Sequence, residues 1–98
     1  MARLESSIER GATLAAEMRL GIMSTKLAPV GSTGWPDRIF WVPGGKALYV
    51  EFKRPGEAPT KKQEYIHKLL KQLGYDVLVL DNVESVISAL QERLCRKR

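Results

Sequence analysis

The sequence predicts an α/β domain: a mixed four-stranded sheet flanked by helices, with elements in the order α-β-β-β-α-β-α. Three observations carry this. Apolar residues at helical spacing open the chain, two β-rich runs flank a "PGG" turn, and a helical stretch then leads into the run "DVLVL". A hairpin joined through a helix to a further strand is a crossover, which lays that strand parallel beside the hairpin.

Each element has its own signal. Leu4, Ile8, Ala12, Ala15 and Met18 predict an amphipathic helix over residues 4–19, stopped by Gly21. Gly11 weakens it by up to about 1 kcal/mol relative to Ala. A short strand is expected over 22–27, and "APVGSTGWP" then reads as loop. "RIFWV" and "KALYVEF" are the hairpin strands, and "RPGEAP" is a second loop. Thr60 begins a helix with Ile66, Leu69, Leu70 and Leu73 on its apolar face and Gly74 at its end. Asp76–Leu80 is nearly all apolar, as expected of a central or well-covered strand. Asn82 caps a last helix whose buried stripe is Val83, Val86, Ile87, Leu90 and Leu94.

The 98 residues predict one domain, 1–98, with residues 95–98 as a basic tail. The net charge of +5 favours acidic partners, nucleic acid first and an anionic membrane second. A single cysteine, Cys95, precludes an intrachain disulfide and fits a reducing cytosol. Glu5 and Glu9 leave no apolar run for a secretion signal, and no stretch approaches the roughly 20 apolar residues of a membrane span. A cytoplasmic protein without a membrane partner is expected.

The hairpin register concentrates charge. Leu48, Val50 and Phe52 share the core face, so Glu51 and Lys53 share the other, roughly 7 Å apart. If Pro43, Gly44 and Gly45 form the loop, Val42 pairs with Lys46, Arg38 with Val50, and Asp37 with Glu51. Directly opposed residues have Cβ atoms about 5 Å apart. Two carboxylates so placed repel each other, and a divalent cation reverses that sign. Mg²⁺ is often held by one or two carboxylates with water and phosphate, and the Phe52 carbonyl is a further candidate ligand. Such a cation beside Lys53 suits phosphodiester hydrolysis, with Lys53 orienting the nucleophile or stabilising transition-state charge. A two-residue loop would turn Asp37 to the wrong face. The plainer alternative is a solvated Glu/Lys pair on a surface hairpin.

"PD" followed across a hairpin by "EFK" resembles the PD-(D/E)xK nuclease superfamily. The longer pattern, "GWPDRIFWVPGGKALYVEFKRPGEAPTKKQ" and then "LGYDVLVLD", resembles the virus-type replication-repair nuclease domain, VRR-NUC, over nearly the whole chain. The resemblance implies a restriction-endonuclease-like core and DNA cleavage dependent on Mg²⁺ or Mn²⁺. It makes Asp37 and Glu51 metal ligands and Lys53 the catalytic lysine. An acid on the first helix usually completes such a site. Glu9 is favoured, and Glu5, one turn earlier, is the alternative. Gln63 matches the family glutamine and also completes a capping box with Thr60. Stand-alone members resemble Holliday-junction resolvases acting as homodimers on branched DNA, four-way junctions or flaps. A flap or single-strand nuclease and a non-catalytic nucleic-acid-binding module are the alternatives.

Lys26, Arg38, Arg54, Lys61 and Lys62 are candidates for contacting the DNA backbone, which suits an enzyme that selects structure over sequence. The "VGSTG" loop offers a close backbone approach to DNA or a flexible connector. Trp35 could stack on a base or pack at the loop base. His67 is expected to be exposed and outside the chemistry. The last helix is a candidate dimer surface, although Val86 and Leu90 suit core packing.

Overall fold

The computed structural model describes residues 4–27 and 34–95. Residues 28–33, with most of the "VGSTG" loop, and the tail residues 96–98 lie outside the described residues. The chain begins with helix α1, Leu4–Ala15, which continues into a π-helical turn, Ala16–Leu20. That turn corrects the expectation of one regular helix. A π turn holds an extra residue per turn and rotates the apolar phase. Ala12 and Ala16 are buried, whereas Met18 is 81% exposed.

Strand β1, Ser24–Lys26, pairs antiparallel with β2, Arg38–Val42, which pairs antiparallel with β3, Lys46–Phe52. The three-residue turn forms as expected. Gly44 and Gly45 have φ of 94° and 78°, a left-handed region that strains other residues. The pairs Val42↔Lys46 and Arg38↔Val50 follow, which is the register the sequence predicts.

Helix α2, Lys61–Gln72, then crosses to β4, Asp76–Leu80, which runs parallel to β3. The sheet order is β1-β2-β3-β4, so β4 is an edge strand and not a central one. Its cover is partial: Val77 is buried, Leu78 and Leu80 are half-buried and Val79 is exposed. Helix α3, Val83–Cys95, closes the described chain, capped by Asn82 Oδ1, which accepts the Ser85 N–H at 2.8 Å.

One sheet face packs against α1 and α3. Ile8, Ala12, Phe40, Val42, Leu48, Val50, Phe52, Val86, Ile87 and Leu90 form the core there. Truncating Phe40 or Phe52 to Ala would cost about 3–5 kcal/mol. Gly11 is where the helices meet, since a Cβ there would lie 3.0 Å from Val83 Cγ2. In the last turn of α3 the inward position belongs to Arg93, whose Nε donates to Asp76 Oδ2 at 2.6 Å, and Leu94 is exposed.

The opposite face lies under α2, and the inward stripe of that helix is not the expected one. His67 and Leu70 are buried, whereas Leu69 and Leu73 are exposed. The helix rests on the sheet face that carries Val77 and Glu51, and Gln63 and His67 turn inward toward that one acid.

Candidate active site

The β2–β3 ladder stops at Arg38↔Val50, and Asp37 lies one residue beyond it. Its N–H donates to the Val50 carbonyl at 3.0 Å, and its Oδ2 accepts the Phe52 N–H at 2.7 Å. Asp37 therefore bonds the residues on either side of Glu51, which fixes the two acids near one another. In an extended strand the N–H and C=O of one residue point the same way. The Phe52 carbonyl accordingly faces the Asp37 side.

Glu51 is 3% exposed, which excludes a solvated surface pair. Gln63 on α2 donates from Nε2 to Glu51 Oε2 at 2.8 Å. The Gln63 side-chain oxygen accepts the Thr60 N–H at 2.9 Å, and Thr60 Oγ1 accepts the Gln63 N–H at 3.1 Å. The capping box and the contact to Glu51 thus coexist in one side chain.

His67 is 6% exposed, contrary to expectation. Its Nε2 lies 3.7 Å from Glu51 Oε1, and neither buried atom has a hydrogen-bond partner. A sequence signal for it existed: position 67 is four residues after Gln63, hence on the same helix face.

Burial dominates the electrostatics. Desolvation, reinforced by Asp37, pushes the Glu51 carboxyl up to about 8. Asp37 is also raised by burial, against the opposing pull of the Phe52 N–H. Burial lowers His67. The positive charge of Lys53 favours ionisation of both acids, and among the described residues Lys53 makes no ion pair.

The first-helix acids are placed differently from each other. Glu9 is held by Lys26 at 2.9 Å and Arg38 at 2.8 Å, so two expected DNA-contacting cations are paired with the favoured helix acid. Glu5 shares a hydrogen bond with Glu57, which raises its carboxyl, while Arg54 and that same bond lower Glu57 to about 2. Arg54 pairs with Glu57 at 2.9 Å. Lys61 and Lys62 are exposed at the start of α2, and Trp35 is 40% exposed.

Among the described residues no three His, Cys, Asp or Glu side chains converge as they would around a bound ion. The donor set still fits a hard cation. Two carboxylates destabilised by burial and mutual repulsion gain most from one, and Mg²⁺ or Mn²⁺ needs few protein ligands when water and phosphate supply the rest. Glu51 Oε1, buried without a partner, is consistent with that need.

Comparison with known proteins accords with this architecture. A protein of Acyrthosiphon pisum secondary endosymbiont phage 1 named "Putative nuclease p44" is 40% identical over 89 residues, which span 88% of this chain and 94% of that protein. A solved structure described as "VRR_NUC domain" matches with a TM-score of 0.77 at 26% identity, covering 89% of this chain and 94% of that one. No family model matches the chain. Sequence relative and solved fold each span nearly the whole molecule, and the chain belongs to the VRR-NUC family.

Proposed function

We propose that the protein is a divalent-metal-dependent, structure-selective DNA endonuclease that hydrolyses phosphodiester bonds and resolves four-way junctions as a homodimer. The observation that carries the reading is the placement of Asp37 and Glu51 at the end of one hairpin, both desolvated, with Lys53 beside them and unpaired among the described residues. A non-catalytic module has no physical need for a mutually repelling acid pair with one carboxylate buried and the other half-buried.

Asp37, Glu51 and the Phe52 carbonyl are the groups that would hold Mg²⁺ or Mn²⁺. When bound, the cation supplies Lewis acidity toward a phosphate oxygen and lowers the pKa of a coordinated water. Lys53 places a positive charge where the phosphate becomes more negative in the transition state. Gln63 keeps the Glu51 carboxylate oriented, and burial under α2 excludes bulk water from that carboxylate. Arg54, Lys61 and Lys62 contact the DNA backbone, which gives affinity without sequence choice, while Glu9 holds Lys26 and Arg38 back from it. Symmetric cuts across a four-way junction need two such sites, which a two-fold dimer supplies. Val86 and Leu90 are fully buried within the chain, so a dimer would use other surfaces.

The test is cleavage of labelled four-way junction, flap and linear duplex with Mg²⁺, Mn²⁺ or chelator, with Lys53→Ala in parallel. Paired symmetric cuts confined to the junction are expected. Cutting of the flap alone would replace resolution by flap cleavage, and no metal-dependent cutting of any substrate would overturn the reading. Sedimentation with and without junction DNA tests the dimer.

A further inference from the structure

We infer that His67 is a positioning residue for Glu51, holding the ionised carboxylate through an Nε2–H donor while Gln63 holds its other oxygen. The inference deepens the proposed metal-dependent site and rests on that reading. Gln63 and His67 stand one helical turn apart on the inner face of α2 and address the two oxygens of one buried carboxylate. Gln63 Nε2 is 2.8 Å from Oε2, and His67 Nε2 is 3.7 Å from Oε1.

The second pair is the informative one. Glu51 Oε1 and His67 Nε2 are both buried without a hydrogen-bond partner. Buried polar atoms are ordinarily paired, so two that face each other point to an interaction made in another state of the site. The gap exceeds a normal N–H···O distance by about 0.8 Å, a distance that side-chain rotation spans. An ionised carboxylate in a dry environment needs donors, and imidazole supplies one without adding net charge. The same ring lines a cleft of about 600 Å³ beside Lys68, Lys71 and Val79, where its remaining nitrogen has access to water. A cation shared directly by His67 and Glu51 is disfavoured, because Mg²⁺ and Mn²⁺ prefer carboxylate, carbonyl and water oxygens to imidazole nitrogen. His67 therefore acts through Glu51.

Two variants and one spectrum test this. His67→Met keeps the volume and removes the donor, and His67→Gln keeps a donor. Direct Mn²⁺ titration should show affinity weakened about 10- to 100-fold in His67→Met, with most of it restored in His67→Gln. At saturating Mn²⁺ the kcat of His67→Met should stay close to that of the unaltered protein. Equal Mn²⁺ affinity in both variants would overturn the inference, whatever their melting temperatures. His67 is the only histidine in the chain, so its ring nitrogens give a single ¹⁵N pattern. Above the pH at which Glu51 ionises, metal-free protein should show the Nε2–H form, with a shift altered by Glu51→Ala. An Nδ1–H form there would also overturn the inference. If the unaltered protein binds no Mn²⁺ and cuts nothing, the nuclease reading fails, while the spectrum still decides whether His67 and Glu51 are paired.

Discussion

Gln63 joins the start of α2 to the acid pair: its side-chain nitrogen donates to Glu51 Oε2 at 2.8 Å while its oxygen accepts the Thr60 N–H at 2.9 Å. Helix capping and carboxylate orientation are therefore two ends of one amide. Different substitutions separate them.

Thr60→Ala removes the cap hydroxyl and leaves the Gln63 contact to Glu51 in place. It should cost about 1 kcal/mol in urea unfolding and leave cleavage close to normal. Gln63→Ala should cost a similar amount and also lower metal-dependent cleavage by about 10- to 100-fold. Equal loss of cleavage in the two variants would show that the amide contact to Glu51 is not what matters.

The acid pair makes the metal-free protein sensitive to alkali. Glu51 titrates from 4.5 in the unfolded chain to about 8 when folded. Between those values the folded state holds a proton that the unfolded state has released, so rising pH favours unfolding. The effect is of the order of a few kcal/mol over the full window. Burial lowers His67, which acts oppositely below its ordinary value of 6.5. Melts in chelator should therefore show the decline most clearly between pH 6.5 and about 8. Glu51→Gln should flatten the curve, and Mn²⁺ should stabilise the unaltered protein more at the alkaline end. A flat profile in chelator would contradict a buried, protonated Glu51.

Lys53 and Asp37 differ in what else they support. Lys53 has no ion pair among the described residues, so Lys53→Ala should shift stability by no more than about 0.5 kcal/mol. Its cleavage rate should drop by about 100- to 1,000-fold. Asp37→Ala leaves the Phe52 N–H without its partner and should cost about 1–3 kcal/mol as well as activity. Circular dichroism melts beside rate measurements distinguish the two patterns.

Glu9 sequesters two cations. In Glu9→Gln, Lys26 and Arg38 become available to phosphate. Without divalent metal, the plot of log affinity against log salt for duplex DNA should steepen by about 2. Cleavage should fall at the same time if Glu9 contributes to the metal site. An unchanged slope would mean that these cations already reach DNA in the unaltered protein.

Much of the site follows from local rules. A three-residue "PGG" loop sets the hairpin register, and the register places Asp37 beside Glu51. The Thr60–Gln63 box is equally local. His67 is different, because its burial depends on which face of α2 meets the sheet, and the leucines on that helix suggest another face. Leu69 and Leu73 are exposed because the helix turns Gln63, His67 and Leu70 toward the sheet instead. The edge position of β4 is non-local too, since an apolar run records cover on its faces and not the presence of a neighbouring strand. The pairing of Glu9 with Lys26 and Arg38 brings together residues from three elements, beyond the reach of spacing arguments.

The edge position of β4 also bears on how the protein behaves at high concentration. One side of this strand has main-chain groups with no strand neighbour among the described residues, and Val79 adds an exposed apolar side chain. Such an edge is a template on which a stray strand can add and begin aggregation. Here the template is five residues long, and Arg93 anchors its first side chain, Asp76. An invading strand finds a short platform, which limits runaway strand addition.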